Sequence, residues 1–301
     1  MERITIIGTG LIGTSIALAL RESSPKSEIL GFDANPAESA AAYSLGALHA
    51  ALRDQESALA SAARANIIVL AVPVFAILDW MPRLAAVTKP GQLVTDTGST
   101  KLQITHAAQK LFTETTAAFL PGHPMAGKES GGAALAEAAL FRDAMWLFTP
   151  AHAPEPPAAA RWRSLVLGFG ARTTDLDADR HDRLCAWVSH MPQMVSTAVS
   201  ALLQDEFGDD PALRAIGGRA LREMTRLGAS PYSMWRDVAL SNTAPLADTL
   251  SAVEQRLAHL RENLRTPELR TEFRKANRFR ATPDAKPDKK PKAKRSTKPS
   301  A

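Results

Sequence analysis

The chain has 301 residues, room for one large domain or two of ordinary size. Its hydrophobic fraction of 45% and charged fraction of 22% are those of a soluble globular protein, and no apolar run reaches the roughly 18–20 residues of a membrane span. The formal charge of +5 does not describe the folded body: the segment from Lys286 onward carries +6, so residues 1–285 together carry −1, are near neutral, and leave the high pI to the tail.

The first element is the apolar strand that begins at Arg3. It runs into Gly8-Thr9-Gly10-Leu11-Ile12-Gly13, and an apolar helical pattern leaves that turn. In this context G-x-G-x-x-G reads as a dinucleotide-binding turn. Gly8 allows the tight turn, Gly10 lets the backbone approach a pyrophosphate, and Gly13 lets the helix pack on the strand. The helix start at Leu11 and Ile12 offers N–H groups and a partial positive charge to phosphates. A second strand, Ile29–Phe32, ends at Asp33, 20 residues after Gly13. An acid there accepts hydrogen bonds from the ribose hydroxyls of NAD and repels the 2′-phosphate of NADP.

Helices are expected over Pro36–Leu45 and Glu56–Ala63. The apolar run Asn66–Pro73 reads as a buried strand, whose end at Val72 and Pro73 should line the ligand crevice. A helix from Val74, a strand Gln92–Asp96, a polar strand end Asp96-Thr97-Gly98-Ser99-Thr100-Lys101 and a helix Ile104–Phe112 follow. The strand Ala118–Leu120 runs into Gly122-His123-Pro124-Met125-Ala126-Gly127-Lys128-Glu129. Later strands are read at Ala144–Thr149 and Ala171–Thr174. This alternation predicts a Rossmann-type, doubly wound parallel sheet over residues 1–175. The two polar strand ends, after Asp96 and Gly122, form its natural catalytic edge.

Beyond Asp175 the strand signals stop. Helical spacing runs from Asp177 through Leu203, with a kink or break expected at Pro192. Helices are also read at Pro211–Leu227, Pro231–Asn242 and Pro245–Thr266. The last carries a seam of Leu246, Leu250, Val253, Leu257, Leu260 and Leu264, which fits either an intramolecular core or a second subunit. An all-α domain is therefore expected at 176–278, and a disordered basic tail at 279–301, poor in apolar residues. The tail reads as a solvated segment, with an anionic-surface patch as the alternative. The lone Cys185 lies in an apolar pattern and reads as a small buried hydrophobe, so no internal disulfide is expected. With the first strand starting at Arg3 there is no signal peptide, and the expected location is cytoplasmic. His181 and His190 are not at a one-face ligand spacing, so no metal is expected, and His181 is read as bonding locally at a helix start.

The stretches GTGLIGTSIALAL, DTGSTK, GHPMAGKESG, DADRHD, SHMP and MTRLGASPYSMWRD resemble, in order and spacing, the prephenate/arogenate dehydrogenase family over about residues 3–275. The resemblance implies a nucleotide-binding domain followed by a helical dimerisation domain, hence a homodimer. It also implies NAD-dependent oxidative decarboxylation of a cyclohexadienyl ring. Prephenate would give 4-hydroxyphenylpyruvate, and arogenate would give tyrosine.

Carried onto this chain, the resemblance makes His123 the group that draws off the C4-hydroxyl proton and Ser99 its partner, which also reads as a helix N-cap. Arg226 resembles the arginine that binds the substrate carboxylate, with Arg222 one helical turn earlier. Glu129 resembles an acid that orders the site, and Ser189 lies on the helix approaching the substrate. Trp235 reads as a residue of the other subunit's site or of the core. Gln193 stands where relatives often have histidine, so a charged contact becomes a neutral one. With no acid placed to pair an ammonium group, the side-chain preference leans to prephenate. No C-terminal regulatory domain or fused mutase is seen, so feedback by tyrosine would act at the active site. A non-catalytic NAD-binding sensor and a methyltransferase remain the readings from other classes.

Overall fold

The structure is a computed structural model that describes residues 2–128, 130–151 and 155–282. Glu129 and the tail from residue 283 onward lie outside the described residues. The chain divides into two compact units, Met1–Leu250 and Ser251–Ala301.

The first unit opens with β1 (Arg3–Ile7), α1 (Leu11–Ser23), β2 (Glu28–Phe32), α2 (Pro36–Ser44), β3 (Ala50–Ala51), α3 (Gln55–Ala62), β4 (Ile67–Leu70), α4 (Val74–Val87), β5 (Leu93–Asp96), α5 (Leu102–Leu111) and β6 (Ala118–Leu120). The six strands form an all-parallel sheet in the order β3-β2-β1-β4-β5-β6. The order reverses between β1 and β4, which opens a crevice at their carboxyl ends. Successive strand residues face opposite ways. Ile4, Ile6, Ile67 and Val69 therefore enter one core, with α1, and Ile7, Ile68, Leu70 and Val94 the other, with α4 and α5. Covering both faces demands the near-continuous apolar strands seen in the sequence.

The strands expected at Ala144–Thr149 and Ala171–Thr174 form, but outside the main sheet. β7 (Gly122–Pro124), β8 (Met145–Phe148) and β9 (Arg172–Asp175) make a separate three-stranded sheet, in which β7 and β8 are antiparallel and β8 and β9 parallel. The change of sheet falls at Pro121, which has no N–H for a ladder. Its carbonyl accepts from the Thr149 N–H at 3.1 Å. Trp146, Phe148 and Phe169 pack with Trp162 of α6 (Pro157–Gly168) into an aromatic cluster that fixes this sheet to the body.

The helical part begins with α7 (Ala178–Cys185), a π turn at Ala186–His190 and α8 (Met191–Phe207). Pro192 does not break the run. It sits in the first turn of α8, where a missing N–H is tolerated. The Met191 N–H reaches back five residues to the Ala186 carbonyl. The helix expected over Pro211–Leu227 comes in three pieces: α9 (Pro211–Ile216), α10 (Arg219–Thr225) and a 3-10 turn at Arg226–Ala229. Gly217-Gly218, costly in a helix interior, separates the first two. Next are α11 (Tyr232–Ser241) and α12 (Thr243–Glu262), whose seam runs from buried Leu246 to Leu257, 59% exposed; α12 ends before the expected Thr266, and Leu264, 63% exposed, lies past its end. In the second unit Glu272 of α13 (Glu268–Ala281) pairs with Arg256 at 2.6 Å and Lys275 at 2.7 Å.

Candidate active site

The glycine turn stands over the crevice. Gly8 has φ +95°, and a β-carbon there would collide with the Ala71 carbonyl after β4. One on Gly13 would strike the Gly8 carbonyl. At Gly10 a β-carbon would meet nothing within 4 Å, so the backbone is open to a ligand. Asp33 is tied into the turn: Oδ2 accepts from the Thr9 N–H at 2.7 Å and Oδ1 from the Asn35 N–H at 2.9 Å. Each oxygen keeps a lone pair for a ribose hydroxyl. Gly8, Gly10, Asp33, Val72 and Pro73, together with Trp80 and Arg83, line one cavity of about 410 Å³. Ile12, Val72, Pro73 and Ser99 line a second of about 300 Å³. Leu11 is buried beneath the turn at the start of α1.

A third cavity, about 390 Å³, shares Ser99 with the second. Ser99, His123, Ser189, His190, Gln193, Arg226 and Trp235 all line it. Ser99 therefore stands where the two spaces meet. It is not the helix cap: Lys101 precedes α5, and the Asp182 carboxylate accepts from the N–H groups of Lys101 at 2.7 Å and Leu102 at 2.9 Å. Gln193 donates to the Leu227 carbonyl at 2.7 Å and to Thr197 at 3.2 Å. Arg226 lies exposed at the cavity rim, at the head of the 3-10 turn. Arg222 does not join it. That side chain is exposed on α10, donates to the Gly217 carbonyl at 3.2 Å and is absent from the cavity lining. Trp235 lines its own chain's cavity and stands edge-to-face on His190, ring centroids 5.9 Å apart. The π turn presents Ser189 and His190, and α8 presents Gln193, to the same space.

Behind His123 lies an arrangement that the sequence reading missed. His181 does not bond only locally. Its Nε2 is 3.0 Å from His123 Nδ1, and its Nδ1 is 2.8 Å from Asp182 Oδ1. A carboxylate only accepts, so His181 Nδ1 carries a hydrogen and its Nε2, in a neutral ring, accepts. His123 then donates from Nδ1, which leaves its Nε2 lone pair free as an acceptor. The signal was the His-Asp pair in DADRHD, an acid beside an imidazole at a helix start. Cys185 Sγ lies 3.6 Å from His181 Nε2 and 3.9 Å from His123 Nδ1. Burial pushes its thiol up to about 12, so it is a neutral group.

Beneath His123, Lys101 and Asp96 form a fully buried ion pair. Lys101 Nζ also donates to the Gly122 carbonyl at 2.9 Å, and Asp96 accepts from the N–H groups of Gly98 at 2.8 Å and Gly122 at 3.2 Å. The pair thus holds both polar strand ends in register. Removing one partner of a buried pair leaves an uncompensated charge. Lys101→Met is expected to cost about 3–5 kcal/mol, read as a lower urea midpoint, and an unchanged midpoint would refute this role.

Burial lowers the pKa of His123 well below the ordinary 6.5, helped by repulsion between its protonated form and the charged forms of His181, Lys101 and His190. Burial likewise lowers His181, against the pull of Asp182, and brings His190 down to about 4. These rings are neutral at physiological pH. Because their folded pKa values lie below the unfolded value, the unfolded state binds more protons on acidification. Stability is full above pH 6.5 and falls as pH drops from there towards 4. At pH 5, His190 alone should cost about 2 kcal/mol relative to pH 7. Urea unfolding at the two values checks this, and equal midpoints would contradict it.

Residues 16–175 match the family description "Prephenate dehydrogenase, nucleotide-binding domain", and residues 177–276 match "Prephenate dehydrogenase, dimerization domain". The chain is 34% identical over 263 residues to a prephenate dehydrogenase of Lactococcus lactis, covering 87% of this chain and 70% of that one. Among solved structures, a Synechocystis arogenate dehydrogenase is similar with TM-score 0.75 and 28% identity, covering 93% of this chain and 99% of the other. A prephenate dehydrogenase from A. aeolicus, in complex with hydroxyphenyl propionate and NAD+, shares the fold with TM-score 0.83 and 24% identity, over 93% and 97% of the chains. Among the described residues no helix is long and apolar enough to cross a membrane. The chain belongs to the prephenate dehydrogenase family and carries the nucleotide-binding and dimerization domains of that family in succession.

Proposed function

We propose that this protein is a cytoplasmic, homodimeric, NAD-dependent prephenate dehydrogenase that forms 4-hydroxyphenylpyruvate and CO2. The observation that carries the reading is that Ser99 lines both cavities and shares the larger of them with His123, which is neutral and backed by His181 and Asp182. Gly8, Gly10 and Gly13, with the N–H groups at Leu11 and Ile12, would hold the pyrophosphate, and Asp33 the ribose. Ile12, Val72 and Pro73 would flank the nicotinamide. When bound, NAD supplies the acceptor for the hydride that leaves C4 of the substrate ring.

The remaining work falls to the side chains. His123 Nε2 accepts the C4-hydroxyl proton as the C4–H bond breaks, so a carbonyl forms at C4. Ser99 bonds the same oxygen and orients it. Loss of CO2 from C1 then sends the bond's electron pair into the ring, and the oxygen recovers its proton from His123 as the ring becomes aromatic. Asp182 stabilises the transient imidazolium through His181. Arg226 holds a substrate carboxylate, with Ser189 and Gln193 beside it. Among the described residues lining this cavity there is no carboxylate to pair an ammonium group, which favours prephenate over arogenate. The exposed Leu257 and Leu264 fit burial against a second subunit.

The test is NADH formation with NAD and each substrate in parallel. Turnover of prephenate is expected. Turnover of arogenate alone would keep the mechanism and reverse the preference. Binding of NAD without turnover of either substrate would leave a cofactor sensor as the better reading.

A further inference from the structure

His123, Ser99 and the cavity account for one side of the buried corner. The other side holds three metal-ligating atoms that the proposed reaction does not need together. His123 Nδ1, His181 Nε2 and Cys185 Sγ all lie within 4.8 Å of one another, on buried side chains. Their separations are 3.0 Å between the two nitrogens, and 3.6 Å and 3.9 Å from the sulfur to each. A tetrahedral zinc ion with ordinary Zn–N and Zn–S bonds has edges of about 3.3 Å between nitrogens and about 3.6 Å from nitrogen to sulfur. The triangle therefore needs shifts of only a few tenths of an ångström.

The surroundings also suit a metal. His181 gives its other ring hydrogen to Asp182, the carboxylate–histidine arrangement that orients an imidazole for a cation. Asp182 is in turn fixed by the N–H groups of Lys101 and Leu102. Two imidazoles and a thiolate select a borderline-soft ion over magnesium or calcium. His123 lines the 390 Å³ cavity while His181 and Cys185 are buried behind it, so an ion would enter past the His123 ring.

We propose that His123, His181 and Cys185 form a site for zinc or a similar thiophilic divalent ion, and that its occupation switches the enzyme off. Binding displaces one proton, from the Cys185 thiol, which becomes the thiolate ligand. Neutral His123 gives its Nδ1 to the metal and moves its hydrogen to Nε2. That nitrogen then donates where it must accept. Inhibition thus rests on the reading of His123 as proton acceptor, whereas binding does not.

The experiment titrates the purified full chain with Co2+ and, separately, measures NADH formation against Zn2+. A thiolate-to-cobalt charge-transfer absorption saturating at one equivalent is expected, and Cys185→Ala abolishes it. Zn2+ should inhibit the wild type reversibly, with EDTA restoring the rate. Cys185→Ala should turn over normally and be at least about tenfold less sensitive to Zn2+. No charge-transfer band, a band that survives in Cys185→Ala, or equal zinc sensitivity of the two proteins would overturn the site. If prephenate does not turn over at all, the functional reading fails while the cobalt spectrum still decides the metal site.

Discussion

His123→Asn is expected to lower kcat by about 10²- to 10⁴-fold, the contribution of a positioned general base. KM for prephenate should stay within a few-fold. Asparagine is close in size and can still donate to His181, so the corner is kept. It has no lone pair basic enough to take the C4-hydroxyl proton. In the proposed reading the substrate carboxylate is held by Arg226 and the cofactor by the glycine turn and Asp33, so binding does not depend on the His123 lone pair. Steady-state kinetics separates the two parameters, and NAD titration confirms an intact cofactor cavity. A kcat within threefold of wild type would remove His123 from the chemistry. A loss confined to KM would make it a binding residue.

The reading of the sequence succeeded where the information is local. The glycine turn, Asp33 and the runs Ile67–Leu70 and Leu93–Asp96 declare a parallel sheet because a strand covered on both faces must be apolar throughout. Ser99, just past β5, and His123, in β7 of the smaller sheet, meet Ser189, Gln193 and Arg226 of the helical part at one cavity. Sheet membership was not local. Met145–Phe148 is strand-like in any context, and only the Pro121 interruption and the pairing of His123 with Leu147 assign it to the smaller sheet. The helical pattern also hides the change from α10 to a 3-10 turn at Arg226, which parts Arg226 from Arg222. Asp182 was the least legible residue. Its partners at Lys101 and Leu102 are 81 and 80 positions away, and no spacing rule reaches that far.

That distant contact gives the second large effect. In Asp182→Asn, one of the two carboxylate oxygens becomes an NH2 group, while three donors still point at it: the N–H groups of Lys101 and Leu102, and His181 Nδ1. If the amide oxygen stays towards His181, the NH2 faces the Leu102 N–H and α5 loses part of its cap. If it flips, the NH2 faces His181 Nδ1, which must then accept, so His181 Nε2 carries the hydrogen. His123 Nδ1 must accept in turn, and its own hydrogen moves to Nε2, the wrong tautomer for a base. The first orientation costs stability, about 1–3 kcal/mol for a buried donor left unmade. The second costs rate. The expected result is a kcat at least about 10²-fold lower, with KM and NAD affinity little changed and a modestly lower urea midpoint. A purely structural role predicts destabilisation with kcat intact once the protein is folded. That outcome would confine Asp182 to capping α5 and disconnect it from the proton held at His123.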